Sequence, residues 1–555
     1  MTRFAESPRM RKLLFAGVAS LVTAAVYLPS CRYWFVSLDD PYYVIWNEHM
    51  RKGLTAESVK WAFTSRTYAS NWHPLCWISL LADVNLVGGE RLSDAEWSCP
   101  WNRLAKGMHT HNVVLHAVNA ALLFALMGML CGWRLDLKWL LALTLAWSLH
   151  PLRVEVVCWV AERKELLSVF FMLLTMIFYI GGSLRRSSLI TYHLSLITYA
   201  AAAASKPVAV SLPAVLIAYD WIFRGRPRIL AMLPFVVLSG LTCVLTLGAQ
   251  TEAIECGIEG GIAQRLAAIF GSPLVYIRQT VLPYGLSAAY EVSASIDWPL
   301  VLGGALFAAG LVAVGVLWLV RRVRTGWRPG GPTLLDFAAF AVAWCYVGLM
   351  PMLGIVKVGW QEHSDRYTYW IGCGACATLA MVLAARGCDW WEGVVRFIEK
   401  TDGRPFDRAQ GRRFFDFSAI ALVVALAFMT NERMACWRNS IAYLRDAVPK
   451  CWQADFVSAA SLMLRGAGPG CAEEAERIVR EYAIRKPGVD SSLMLAKFLI
   501  RRRPPVEAEY LLRGILAENP DHGEARELLE GLERERRGEV SEQGQGGPGN
   551  GVEQK

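Results

Sequence analysis

What limits this chain most is a series of apolar runs that begins with Leu13 to Leu28, several of them about 18 residues or longer. A bilayer core offers no water to backbone polar groups, so such a run crosses as a helix bonded to itself. Hydrophobic residues make up 54% of the 555, while charged ones reach only 19% against roughly 25% in soluble proteins. The sequence therefore predicts an all-α fold: a polytopic membrane helical bundle of about eleven spans, followed by a small helical domain.

Charge gives the expected orientation. The formal net charge of +9 gathers at Arg9 to Lys12, Arg185–Arg186, Arg224 to Arg228, Arg321 to Arg328 and Arg404 to Arg413. The positive-inside rule makes these clusters cytoplasmic. Residues 1–12 are then an inner N-terminus, 13–430 the transmembrane domain, and 32–111 a large first outer loop. No small-residue cleavage site follows the first run, which is expected to stay as span 1. The outer loop is rich in aromatics (Trp46, Trp61, Tyr68, Trp72, Trp77) and is expected to lie along the interface. Within it Thr55 reads as a helix N-cap, with Ser58 where a capping box prefers Glu. Residues 263–283 read as a half-buried or re-entrant segment broken by Pro273 and Pro283, because a full span would place the Arg321 cluster outside. An acidic outer loop carries Glu252, Glu255 and Glu259. Cys31, Cys76 and Cys99 fall on the outer side, where a disulfide can form. Cys373 and Cys376 have redox-motif spacing but lie in a span, where packing is the better reading.

From Asn431 the composition turns to Glu, Arg and Ala. Pro449, Pro487 and Pro520 recur 38 and 33 residues apart. Between them fall expected helix pairs, Ala472 to Ile484 with Ser491 to Arg501, and Val506 to Glu518 with Gly523 to Arg534. A period near 34 closing on Pro is a tetratricopeptide signature. The repeat domain is expected over 431–537, extracytoplasmic for eleven spans, with 538–555 a disordered tail.

Several polar groups stand where charge is costly. Asp39 and Asp40 follow span 1 directly, and a carboxylate there can take the proton of an attacking hydroxyl. The structural alternative is a pair capping the next helix ahead of Pro41. His73, His109 and His111 suit hydrogen bonding or phosphate positioning; zinc would need a further ligand at defined spacing. From His150 to Glu165, Glu155 and Glu162 lie two helical turns apart, and Arg163 and Lys164 follow. Such cations can bind a phosphate head group, or else lock a juxtamembrane salt-bridge cluster. Lys206 precedes Pro207, and Asp365–Arg366 open another span with Tyr367 and Tyr369. Arg366 suits an anionic lipid phosphate, or an ordinary interfacial anchor. No Walker loop, Rossmann fingerprint, HExxH or Ser-His-Asp motif is present, and nothing points to nucleic acid.

Taken together, Leu38–Asp40, Asn71–Leu75, His150–Glu155, Trp159–Lys164 and Asp365–Tyr369 are collinear motifs that resemble a known family. It comprises bacterial multi-span proteins with C-terminal tetratricopeptide repeats, relatives of the eukaryotic transmembrane and tetratricopeptide O-mannosyltransferases. The resemblance implies a GT-C fold in a bacterial inner membrane, with the active site in the first extracytoplasmic loop. It implies an inverting transfer of a sugar, mannose at the family level, from a polyprenyl-phosphate-linked donor to a hydroxyl of a protein or envelope acceptor. Asp39 or Asp40 would be the base, and Arg163, Lys164, Lys206 and Arg366 would surround the donor phosphate. His73, His109, His111, His150, Glu155, Glu162 and Asp365 would support them. No metal site and no cofactor are expected, although a role for a divalent cation stays open. A non-catalytic membrane-anchored repeat scaffold for an envelope complex is the second reading. A transporter is the third, disfavoured because the charges crowd one face rather than the midplane. An insertion at Glu90 to Arg103 and the eroded repeats bear on acceptor recognition.

Overall fold

The protein is described from a computed structural model covering residues 7–36, 38–66, 68–88, 93, 103–183, 188–251, 262–290, 296–325, 332–353, 363–402, 408–451, 457, 460–461, 471–500 and 505–537. Cys99, the insertion at 90–92 and 94–102, Arg185–Arg186, the acidic loop's three glutamates, Arg328, residues 404–407 and the tail from Gly538 lie outside these residues. Among the described residues every regular element is helical.

One unit spans Met1–Tyr443. Its principal helices are α1 (Pro8–Tyr27), α2 (Ala56–Thr64), α3 (Pro74–Leu86), α4 (Arg103–Leu130), α5 (Leu137–Ser148), α6 (Arg163–Ser183) and α7 (Ser188–Ala203). They continue as α8 (Leu212–Phe223), α9 (Ile229–Ala249), α10 (Ile262–Val281), α11 (Trp298–Thr325), α12 (Leu334–Ala341), α13 (Thr368–Asp402) and α14 (Arg408–Met434). Eight helices among the described residues are long and apolar enough to cross a membrane, and the pair Leu137–Ser148 and Pro151–Cys158, bent by 56°, makes a ninth path. The shorter apolar helices Leu189–Ala203 and Pro207–Phe223 occupy the places of the fifth and sixth expected spans. Outward positions such as Leu302 (61% exposed) and Leu306 (74%) are apolar, as a lipid-facing surface requires.

Local sequence explains the starts. Ser7 caps α1, its hydroxyl accepting from the Met10 amide at 3.1 Å, with Pro8 at the first helical position. Thr55 and Ser58 close a reciprocal capping box on α2, the shorter Ser doing what Glu usually does. The expected break at Pro273 is corrected, since α10 runs through it to Val281. This helix is not among those apolar enough to span. It leans on α11 so closely that a Cβ on Gly304 would collide with the Phe270 carbonyl.

Helix directions define two ends. Arg322 donates to Asp336 at 2.7 Å and to the Ile222 carbonyl at 3.1 Å, while Arg224 pairs with Asp220 at 2.6 Å. The basic ends of α8 and α11 are therefore neighbours. At the other end the chain turns at 28–46, 149–165, 204–211 and 363–368, and there the polar groups collect. Thr430 donates to the Leu149 carbonyl at 2.7 Å, tying α14 to this end.

A second unit spans Leu444–Lys555, and α14 runs past Asn431 to end at Met434. Helices α15 (Cys471–Arg485), α16 (Val489–Leu499), α17 (Val506–Glu518) and α18 (Gly523–Arg536) match the expected pairs within three residues at each end. They bury Ala475, Val479, Ala508 and Leu512 and are crosslinked by Lys497–Glu524 at 2.6 Å. Cys31 and Cys76 are free thiols.

Candidate functional site

The site begins in a compact turn. The Tyr43 amide donates to the Asp39 carbonyl at 2.9 Å, and the Trp46 amide to the Pro41 carbonyl at 2.8 Å, giving a π-type turn over Pro41–Ile45. Such turns are rare and recur at functional positions. Asp40 and Tyr43 point inward, fully buried, while the Asp39 side chain is 47% exposed.

The two adjacent carboxylates stand in different surroundings. Asp40 accepts the Val36 amide on Oδ2 and the Ala161 amide on Oδ1, both at 2.9 Å. Burial pushes its pKa up from 3.8 to about 7, against the pull of those two amides. With both oxygens committed to backbone, Asp40 staples the turn to the segment before α6. Asp39 Oδ2 lies 3.7 Å from Lys164 Nζ and faces outward.

From Lys164 an alternating ladder of charge runs inward. Lys164 donates to the Tyr43 hydroxyl at 3.2 Å and sits 3.3 Å from Glu162 Oε1. Lys206 reaches Glu162 Oε2 at 2.8 Å and Glu165 Oε2 at 2.9 Å. Arg366 Nε lies 3.6 Å from Glu162 Oε1; its Nη1 pairs with Glu155, whose Oε2 accepts the Arg366 amide at 2.9 Å. Glu162 thus neutralises three cations at once, which is how buried charges become tolerable. Lys164 and Arg366 both lie over the Trp159 ring, 5.7 and 5.5 Å from its centroid, and Trp159 stacks on Trp437 at 5.8 Å. Among the described residues no three His, Cys, Asp or Glu side chains are placed to hold a metal ion.

An apolar cavity of about 410 Å³ adjoins this end, between α10, α11, α12 and α13. Tyr276, Phe307, Leu311, Leu349, Thr368 and Ile371 line it. Thr368 stands two residues beyond Arg366 and accepts from Arg153 Nη2 at 2.9 Å. Tyr276 accepts the Ser364 amide at 3.2 Å.

The structure thus brings together Asp39, Glu155, Glu162, Lys164, Lys206 and Arg366. His73 adjoins them, stacked on Tyr43 at 5.4 Å; burial and then Lys164 hold its pKa well below 6.5. Other sequence candidates are occupied elsewhere. Arg163 is wholly buried and pairs with Asp83, donates to Asn112 Oδ1 at 2.8 Å and to the Met108 carbonyl, and so has no path to a phosphate beside Lys164. His111 shares Asp83, at 2.7 Å. His109 is buried between Tyr33 and Phe35. His150 contacts the Thr280 carbonyl at 3.0 Å, and Asp365 accepts from Tyr290. Tyr43, Trp159 and Glu165 join the site without having been picked as site residues. Tyr43 stands four residues after Asp39, one helical turn away, a spacing that could have signalled it.

Compared with protein-family models and with curated proteins, the chain matches none.

Proposed function

We propose that this protein is an inverting glycosyltransferase of the membrane, moving a sugar from a polyprenyl-phosphate carrier to an acceptor hydroxyl. The observation that carries the reading is the half-exposed Asp39 carboxylate set 3.7 Å from Lys164, at the outer end of a charge ladder whose inner cation, Arg366, stands two residues from cavity-lining Thr368. Asp39 takes the acceptor proton as the hydroxyl oxygen forms its bond to the anomeric carbon. The bond from that carbon to the phosphate oxygen breaks, and its electron pair leaves on the polyprenyl phosphate. Lys164 and Arg366, held apart by Glu162, stabilise the growing phosphate charge. Lys206, gripped by two carboxylates below 3 Å, keeps Glu162 and Glu165 in place. The cavity between α10 and α13 receives the isoprenoid chain, and Arg163 has no part in donor binding. The site end faces away from the cytoplasm, as the basic ends of α8 and α11 indicate. The four helices of the second unit form tetratricopeptide-like repeats that choose a protein or envelope acceptor; mannose is the sugar the resemblance favours.

The test is transfer of radiolabelled sugar from polyprenyl-phosphate donors to envelope fractions, comparing wild type with Asp39→Asn at equal membrane levels. Activity abolished by the substitution supports the transferase. Wild-type inactivity with every donor, or indifference to the change, moves the assignment to a repeat scaffold.

A further inference from the structure

The first loop holds two kinds of aromatic residue. Tyr43 and Trp77 are fully buried against each other at 4.5 Å. Tyr42 and Trp46 are instead 55% and 63% exposed, with rings edge-to-face at 4.9 Å and 89°. Burial does not explain this second pair. It is nevertheless fixed in place, for the Tyr42 carbonyl accepts from the Tyr68 hydroxyl at 3.0 Å and the Trp46 amide closes the π-type turn. The same turn carries Asp39, seven residues before Trp46 and so within about 10 Å along a helical path.

Resting on the transferase reading, we propose that Tyr42 and Trp46 form the acceptor subsite and that the acceptor they hold is a neutral saccharide. Two rings at right angles offer one π face and one edge, a corner into which the C–H face of a pyranose packs. A sugar seated there presents its hydroxyls toward Asp39. The half-exposed Asp39 carboxylate repels an anionic acceptor from the same place. An extended peptide is less suited, because no strand edge exists among the described residues for its backbone to join. Burial in lipid is also disfavoured. Exposed Glu48 and Arg51 follow directly on the next turn, and the exposed Lys52–Glu57 pair at 2.8 Å lies beyond them. These charges hold this surface in water.

The experiment uses the full chain in nanodiscs, with no donor present. Mannobiose, cellobiose and a Ser/Thr-rich peptide are titrated by saturation-transfer NMR and by tryptophan emission. One disaccharide is expected to bind weakly, and Trp46→Ala or Tyr42→Ala to weaken it about tenfold, the worth of one stacked aromatic. Trp46→Phe should recover most of the affinity, and the thermal midpoint of each variant should match wild type. Absence of binding by both disaccharides, binding indifferent to both alanine variants, or peptide binding with the same sensitivity overturns the assignment. Quenching of Trp46 emission by brominated lipid also overturns it, giving the pair to the membrane. A separate donor assay reports the transferase itself: saccharide binding without transfer sinks that reading and leaves the binding result standing.

Discussion

The Ala161 amide donates to Asp40 Oδ1 at 2.9 Å across 121 residues of sequence. The bond joins the turn that bears Asp39 to the segment that bears Glu162 and Lys164. It makes one acid of an adjacent pair structural and leaves the other half-exposed, the one the proposed transfer uses as base. Asp40→Ala leaves two buried amides without an acceptor, at about 1–3 kcal/mol each. Asp39→Asn touches no such bond and should leave the thermal midpoint in nanodiscs unchanged while abolishing sugar transfer. The reverse pattern, stability lost with Asp39 and kept with Asp40, would refute the division of roles.

The same staple responds to pH. Burial raises the Asp40 pKa from 3.8 to about 7, so the folded state holds its proton more tightly than the unfolded chain. Its contribution to stability is complete below 3.8 and is lost as pH rises through about 7. Wild type should therefore lose stability relative to Asp40→Asn between pH 4 and 8, measured by thermal unfolding at fixed lipid composition. A wild-type minus variant difference that is flat over this range would contradict the argument.

Much of the fold was legible because its signals are long and local. Apolar runs located the long helices, and the capping box at Thr55 and Ser58 formed despite the unusual Ser. The four C-terminal helices followed from proline spacing and amphipathic pattern. The site was legible in its charged motifs but not in its roles. Nothing local distinguishes Asp39 from Asp40, or Arg163 from Lys164, since adjacent residues on a helical turn point different ways. Only tertiary partners decide: Asp83 claims Arg163, and Tyr43 and Glu162 claim Lys164. Pro273 misled because a helix end was expected, whereas packing on α11 carries α10 through it.

Glu162 is the hub of three cations, so its charge matters more than its shape. Glu162→Gln leaves Lys164, Lys206 and Arg366 short of one shared carboxylate and should cost about 3–5 kcal/mol, as when one partner of a buried pair is removed. Adding Lys164→Met should restore part of that loss, since it removes one of the three cations and its other carboxylate neighbour, Asp39, is half-exposed. Denaturant unfolding of the single and double variants measures this; strict additivity would deny the coupling.

Arg163 offers a parallel case away from the chemistry. Arg163→Met takes from buried Asp83 its guanidinium and leaves it the His111 contact, which should destabilise by about 3 kcal/mol, whereas Arg163→Met with Asp83→Leu replaces the buried pair by apolar groups and should recover most of the loss. The recovered double variant should keep the wild-type KM for donor. A KM raised tenfold in a stable double variant would return Arg163 to the donor site.

The cavity makes the last prediction, because an isoprenoid chain has to be held by apolar area alone. On the transferase reading, each buried methylene of the donor contributes about 0.8 kcal/mol, so two or three isoprene units held in about 410 Å³ should dominate donor affinity. Ala341 lines the cavity, and Ala341→Trp fills much of it without touching Asp39, Lys164 or Arg366. The KM for a long polyprenyl-phosphate donor should rise tenfold or more, by roughly 1.4 kcal/mol per decade. A short citronellyl-phosphate donor, whose few carbons stay near the charged end, should be used almost as before, with kcat unchanged for both. If the two donors suffer equally, the chain lies elsewhere. If neither suffers, the cavity is a packing defect of the bundle rather than a lipid site.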